Sequence, residues 1–107
     1  MSLDISLHEV KEVEVFSSNI THNLGRMAGE AGIYVLLWRP EEIGVKFAYQ
    51  MIEPLKEALE LLKTRPEHFK QFDAQNGWGV YDDFLKFVEK VIQGCDSNPE
   101  ALIKISR

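Results

Sequence analysis

The run VYDDFLKFVEKVIQGCDSNPEALIKI, Val80 to Ile105, decides the fold reading. Within it Tyr81, Phe84, Leu85, Val88, Val91, Ile92 and Cys95 recur at helical spacing, so a helix over Val80–Cys95 has one apolar face. Asp82 and Asp83 open that helix, where carboxylates complement the positive end of the helix dipole. Asn98-Pro99 ends it, and Ala101-Leu102-Ile103-Lys104-Ile105 then reads as a closing strand. A lone strand needs a partner, and the other chain end offers one. Val10 to Phe16, VKEVEVF, is rich in β-branched residues and partly alternating. Val13 and Val15 share a face with Lys11, while Glu12 and Glu14 take the other, as in a half-buried strand. Leu3, Ile5 and Leu7 offer an extension of it backwards. Met1-Ser2-Leu3 reads either as native chain or as an expression remnant and carries no weight. The expectation is an α+β fold in one domain over residues 1–107: a small two- or three-stranded sheet from the chain ends, packed against about three helices. Such a sheet leaves edges exposed, which makes a homodimer through a strand edge an expectation as well.

Ser17-Ser18-Asn19 breaks the first strand, and a helix is expected over Asn19–Ala31. Ile20, Leu24, Met27 and Ala31 would share its buried face, any of the three preceding polar residues could cap it, and Gly32 would stop it. Ile33 to Trp38 is apolar throughout and too short to decide between a buried strand and a helical turn. Arg39-Pro40-Glu41-Glu42 has the form of a helix entry. After Gly44 a longer helix is expected over about Val45–Lys63, burying Ile52, Leu55, Leu59 and Leu62. Pro54 either kinks that helix or belongs to the first turn of one that starts later. Pro66 opens a short turn carrying Phe69 and Phe72, and DAQNGWG, Asp73 to Gly79, is a loop.

Composition narrows the function classes. Of the 107 residues 45% are apolar and 27% charged, which is ordinary for a globular domain and rules out disordered and fibrous classes. No apolar run is long enough to span a bilayer, and no signal peptide opens the chain. The net charge of -5 argues against nucleic-acid binding, which would need Lys46, Lys56, Lys63, Arg65 and Lys70 to form one basic face. The single cysteine, Cys95, cannot form an internal disulfide and suits a reducing cytoplasm.

Three polar-aromatic segments stand out. In Asn19-Ile20-Thr21-His22-Asn23 a strand-to-helix junction is crowded with polar groups that suit either capping or an anionic or polar ligand, with His22 able to act as acid or base near neutral pH. In Trp38-Arg39-Pro40-Glu41-Glu42 an indole beside a guanidinium suits either a core Trp with a surface Arg, or a clamp on a planar or anionic group. In Asn76-Gly77-Trp78-Gly79, with Tyr81 following, the flanking glycines let the backbone bend around the ring, to bury it or to present it. Enzyme templates are otherwise missing. Cys95 lies on the apolar helix face, His8, His22 and His68 lack metal-ligand spacing, and there is no phosphate-cradling glycine loop or serine elbow. No catalytic residue, metal or cofactor is therefore assigned.

Asn19 to Leu24, Trp38 to Glu42, the NGWG segment with Tyr81, and Cys95…Asn98-Pro99-Glu100-Ala101…Ile105-Ser106-Arg107 together resemble a group of small proteins of bacteriophages, prophages and various bacteria. The likeness runs from Val13 to Arg107, with NGWG its most specific part. It implies a stand-alone, cytoplasmic protein encoded by a phage or bacterium, and it brings no assigned activity. The expected function is that of a non-enzymatic binding protein recognising a host protein or a small polar ligand. Asn19, His22, Asn23, Arg39, Asn76, Trp78 and Tyr81 would converge at one end of the helical layer. The alternative is a small enzyme acting on a nucleotide-like or phosphorylated molecule, with His22 as acid/base and Arg39 holding the anion. A concave pocket shared by His22 and Arg39 would favour the enzyme; buried tryptophans without such a pocket would favour a protein interaction.

Overall fold

Leu3, Ile5 and Leu7 alternate with Ser2, Asp4, Ser6 and His8, and this period of two makes Ser2–His8 a strand, β1, with one dry face. The structure is a computed structural model and describes residues 2–9, 13–74, 77 and 79–107. β1 is the middle of a three-stranded antiparallel sheet, between β2 (Glu14–Thr21) and β3 (Leu102–Ser106), in the order β2-β1-β3. In register, Leu3, Ile5 and Leu7 face Ile20, Ser18 and Phe16 on one side, and Ile5 and Leu7 face Ile105 and Ile103 on the other. Those residues form the inner face. The opposite face carries Asp4, Ser6, Asn19 and Lys104, an apolar-in, polar-out pattern typical of an antiparallel sheet with one wetted side.

The α+β class, with strands from both chain ends, therefore stands, but the strand boundaries move. Leu3, given no weight above, is fully buried opposite Ile20. Leu3, Ile5 and Leu7 belong to a strand of their own rather than to an extension of VKEVEVF, of which Val10, Lys11 and Glu12 lie outside the described residues. β2 starts at Glu14 and runs straight through Ser17-Ser18-Asn19, expected to break it. The reason is cross-strand pairing: β1 supplies hydrogen bonds and a template whose register outweighs the weak strand propensity of Ser and Asn. The helix expected from Asn19 consequently begins only after Thr21, as a 3-10 turn at His22–Leu24 that leads into α1 (Gly25–Glu30).

Four more helices follow. Ile33 to Trp38 resolves as a short helix, α2 (Tyr34–Trp38), and Pro40–Ile43 is a 3-10 turn. α3 (Tyr49–Thr64) starts four residues later than read above and carries Pro54 in its second turn. Its start is held by Gln50, whose side-chain oxygen accepts from the Lys46 and Phe47 amides at 2.7 and 2.9 Å. The buried line on α3 is Met51, Leu55, Ala58 and Leu62; Ile52 and Leu59 flank it half-buried. α4 (Pro66–Lys70) inserts Phe69 into the core, and α5 (Tyr81–Ser97) buries Phe84, Phe87, Val88, Val91 and Cys95. The sheet is thus covered by two long and three short helices, more than the three expected. Burial pushes the Cys95 thiol up to about 12, which keeps it neutral and inert.

Two contacts set the site described next. α5 crosses β2 at Gly94, where an added Cβ would come within 2.8 Å of the Phe16 ring. Glycine costs about 1 kcal/mol in a helix relative to Ala, and the seating of that ring is what it provides here. The chain before α3 straps the start of β3, with Ile103 donating to Lys46 O and Ala48 to Ala101 O, both at 2.9 Å. No such strap reaches β2 from any described residue. Among the described residues the outer edge of β2 is open along its length.

Candidate functional site

The three polar-aromatic segments do meet, through interior contacts. Thr21 ends β2, and its hydroxyl accepts from the Asn23 amide at 3.3 Å, starting the turn that presents His22. The indole Nε1–H of Trp38 donates to His22 Nδ1 at 2.7 Å. An acceptor Nδ1 leaves the proton of the neutral imidazole on Nε2. Tyr34 stacks on Trp38 with centroids 5.1 Å apart, and Trp38 itself is 2% exposed. Arg107 donates to the Trp38 carbonyl at 3.1 Å and pairs with Glu41 at 2.7 Å, tying the end of β3 to the same place. Glu41 is held below the ordinary carboxylate range, first by its own backbone N–H and then by Arg107. Gly79 has φ +113°, and an added Cβ would lie 2.8 Å from Thr21 Cγ2 and 3.1 Å from Leu24 Cγ. Glycine is required there twice over, by the backbone angle and by the approach.

What these contacts do is latch the fold. Tyr81 is buried; its hydroxyl donates to the Leu62 carbonyl at 2.7 Å and its amide to Asp73 Oδ1 at 2.7 Å, so α5 is fastened to the end of α3. Arg39 is exposed and paired with Glu42 at 3.2 Å, an interaction that raises its pKa. Asn23 is exposed beside Gly79, and Asn19 lies on β2. Asn76 and Trp78 lie outside the described residues. The structure thus brings His22 to Trp38 and sets Gly79 on the Thr21–Leu24 turn. It gives Tyr81 a packing role and leaves Arg39 outward on its own ion pair.

One concave feature is lined by the end of β2, including Asn19, Ile20 and Thr21 of the first segment. Ser18, Asn19, Ile20 and Thr21 of β2 face Asp83, Lys86, Phe87 and Lys90 of α5 across a groove of about 320 Å³. Ile20 and Phe87 are buried and give the groove its apolar part; the other lining groups are hydroxyl, amide, ammonium and the carboxylate of Asp83. Asp83 accepts from the Val80 amide at 3.4 Å, so its charge serves the start of α5. Lys86 and Lys90 are exposed and have no ion-pair partner among the described residues. Of the residues singled out from sequence, Asn19 lines this groove. The lysine pair was overlooked; its signal was two cations one turn apart on the polar side of α5. Two further concavities, of about 410 Å³ beside the outer edge of β3 and about 330 Å³ between Glu9 and Asn98–Ala101, also exclude His22 and Arg39.

Among the described residues no cluster of three or more His, Cys, Asp or Glu could hold a metal ion, and no helix is long and apolar enough to cross a membrane. No protein-family model, curated protein or solved structure matches the chain.

Proposed function

We propose that this chain is a non-catalytic binding module that takes an extended segment of a partner protein along the open edge of β2. The observation that carries the reading is the groove between Ser18–Thr21 and α5, with an unpaired strand edge on one side and a helix on the other. An open edge offers a row of backbone donors and acceptors to an added strand, and the neighbouring helix supplies side-chain selectivity. What favours binding over the enzyme alternative is that His22 gives Nδ1 to a buried indole, Arg39 is paired with Glu42, and neither lines any of the three concavities described. A small polar ligand is a weaker candidate, since the groove is an open trough rather than an enclosing pocket. On the likeness of NITHN, WRPEE and NGWG to small phage and bacterial proteins, the partner proposed is a protein of a bacterial cell.

The test is selection of linear peptides from a displayed library, followed by amide chemical-shift mapping of the selected binders. Shifts concentrated in residues 14–21 and 83–90 are expected. Binders whose shifts fall only elsewhere would overturn the reading.

A further inference from the structure

We infer that the segment taken up by this groove is acidic, with carboxylates that pair with Lys86 and Lys90. The inference rests on the strand-addition reading above and adds the chemistry of the partner. Lys86 and Lys90 stand about one helical turn apart on α5, their backbone positions about 6 Å apart along the axis by helix geometry. That is close to the spacing of alternate residues on one face of a strand, about 6.7 Å. A strand lying beside β2 would therefore present side chains i and i+2 to the two lysines in step. Both lysines lack an ion-pair partner among the described residues, and the nearest carboxylate in the groove, Asp83, is held by the Val80 amide. The protein as a whole carries -5, so a groove lined by two lysines and one aspartate goes against its general charge. At physiological salt charges beyond about 8 Å are screened, so an incoming carboxylate would respond to the charges that line the groove, Lys86 and Lys90 against the single carboxylate of Asp83, more than to the net charge of the whole chain.

A second copy of the chain is the other natural occupant of an open edge, and the same charges disfavour it. α5 runs antiparallel to β2, with Gly79 against Thr21 and Gly94 against Phe16, so Lys90 falls beside the middle of the strand. Pairing two β2 strands antiparallel about their midpoint would bring the two Lys90 side chains toward each other. Cations at an edge strand are a recognised means of preventing self-pairing.

Fluorescence anisotropy with two labelled peptides of about ten residues, alternating Thr-Glu and its isostere Thr-Gln, tests the inference on the intact chain. The Thr-Glu peptide is expected to bind at least about tenfold tighter at low salt, since charge-assisted bonds are roughly twice as strong as neutral ones. The preference should fall below about threefold in the K86Q/K90Q double variant and at about 0.5 M salt, with each single variant intermediate. Equal binding of the two peptides, with shifts still along residues 14–21, would overturn the acidic partner and leave strand addition standing. No binding of either peptide to the β2 edge, with shifts elsewhere or none, would overturn both readings. Inorganic polyphosphate that displaces Thr-Glu from the lysines without moving the amides of residues 14–21 would mean a simple anion site and would sink the inference. A dimer in sedimentation equilibrium that is strengthened by K90Q, and that blocks the peptide, would assign the edge to a second copy instead.

Discussion

His22→Ala removes the acceptor of a hydrogen bond whose donor has nowhere else to go. Trp38 is 2% exposed, its Nε1–H donates at 2.7 Å to His22 Nδ1, and its ring is fixed by stacking on Tyr34. A buried donor left unsatisfied costs about 1–3 kcal/mol, and for a partly buried pair the middle of that range, about 2 kcal/mol, applies. In a chain of this size each kcal/mol is worth roughly 4 °C, so the melting temperature should fall by about 8 °C. Trp38→Phe removes the donor while keeping the stack, and the double variant should be less damaged than the sum of the singles by about 1 kcal/mol or more. Urea titration followed by far-UV circular dichroism measures all four species without relying on tryptophan emission. A coupling below about 0.3 kcal/mol would mean that the bond does not hold the segments together, and the latch argument would fail.

Gly79→Ala should destabilise by about 2–4 kcal/mol, because the added Cβ meets Thr21 at 2.8 Å in a backbone region that L residues rarely adopt; a change under about 0.5 kcal/mol in the same titration would contradict the packing described. Tyr81→Phe deletes the hydroxyl that donates to Leu62 O and should cost about 1 kcal/mol, read as a lower urea midpoint at unchanged slope. Cys95 should resist thiol reagents at mildly alkaline pH in the folded protein and react fully once unfolded. Its folded pKa lies above the unfolded value, so the stability tied to its neutral form is present below about pH 9 and lost as pH rises toward 12, and Cys95→Ala should flatten that alkaline slope.

The elements readable from sequence are those whose period agrees with their surroundings. α5 and β3 follow each other in the chain, and the apolar positions of α5 are legible nearly residue for residue because it buries one clean face. Ser2–His8 alternates just as clearly, yet its apolar positions read only as an extension of the next strand, because its role as the middle strand depends on β3 at the far end of the chain. The second half of β2 could not be read, since Ser17, Ser18 and Asn19 become strand only when β1 lies beside them. Of the polar-aromatic segments, the contacts of the described residues are internal ones: the indole of Trp38 and the hydroxyl of Tyr81 are turned inward. The groove itself belongs to neither segment alone. It arises where Ser18–Thr21 and Lys86–Lys90, far apart along the chain, run side by side.

Amide hydrogen exchange of β2, with and without a saturating Thr-Glu peptide, puts the central claim to its most direct test. Strand addition predicts that alternate amides within residues 14–21, those turned away from β1, exchange slowly only when the peptide is bound. Unchanged exchange along β2 at saturation would contradict it.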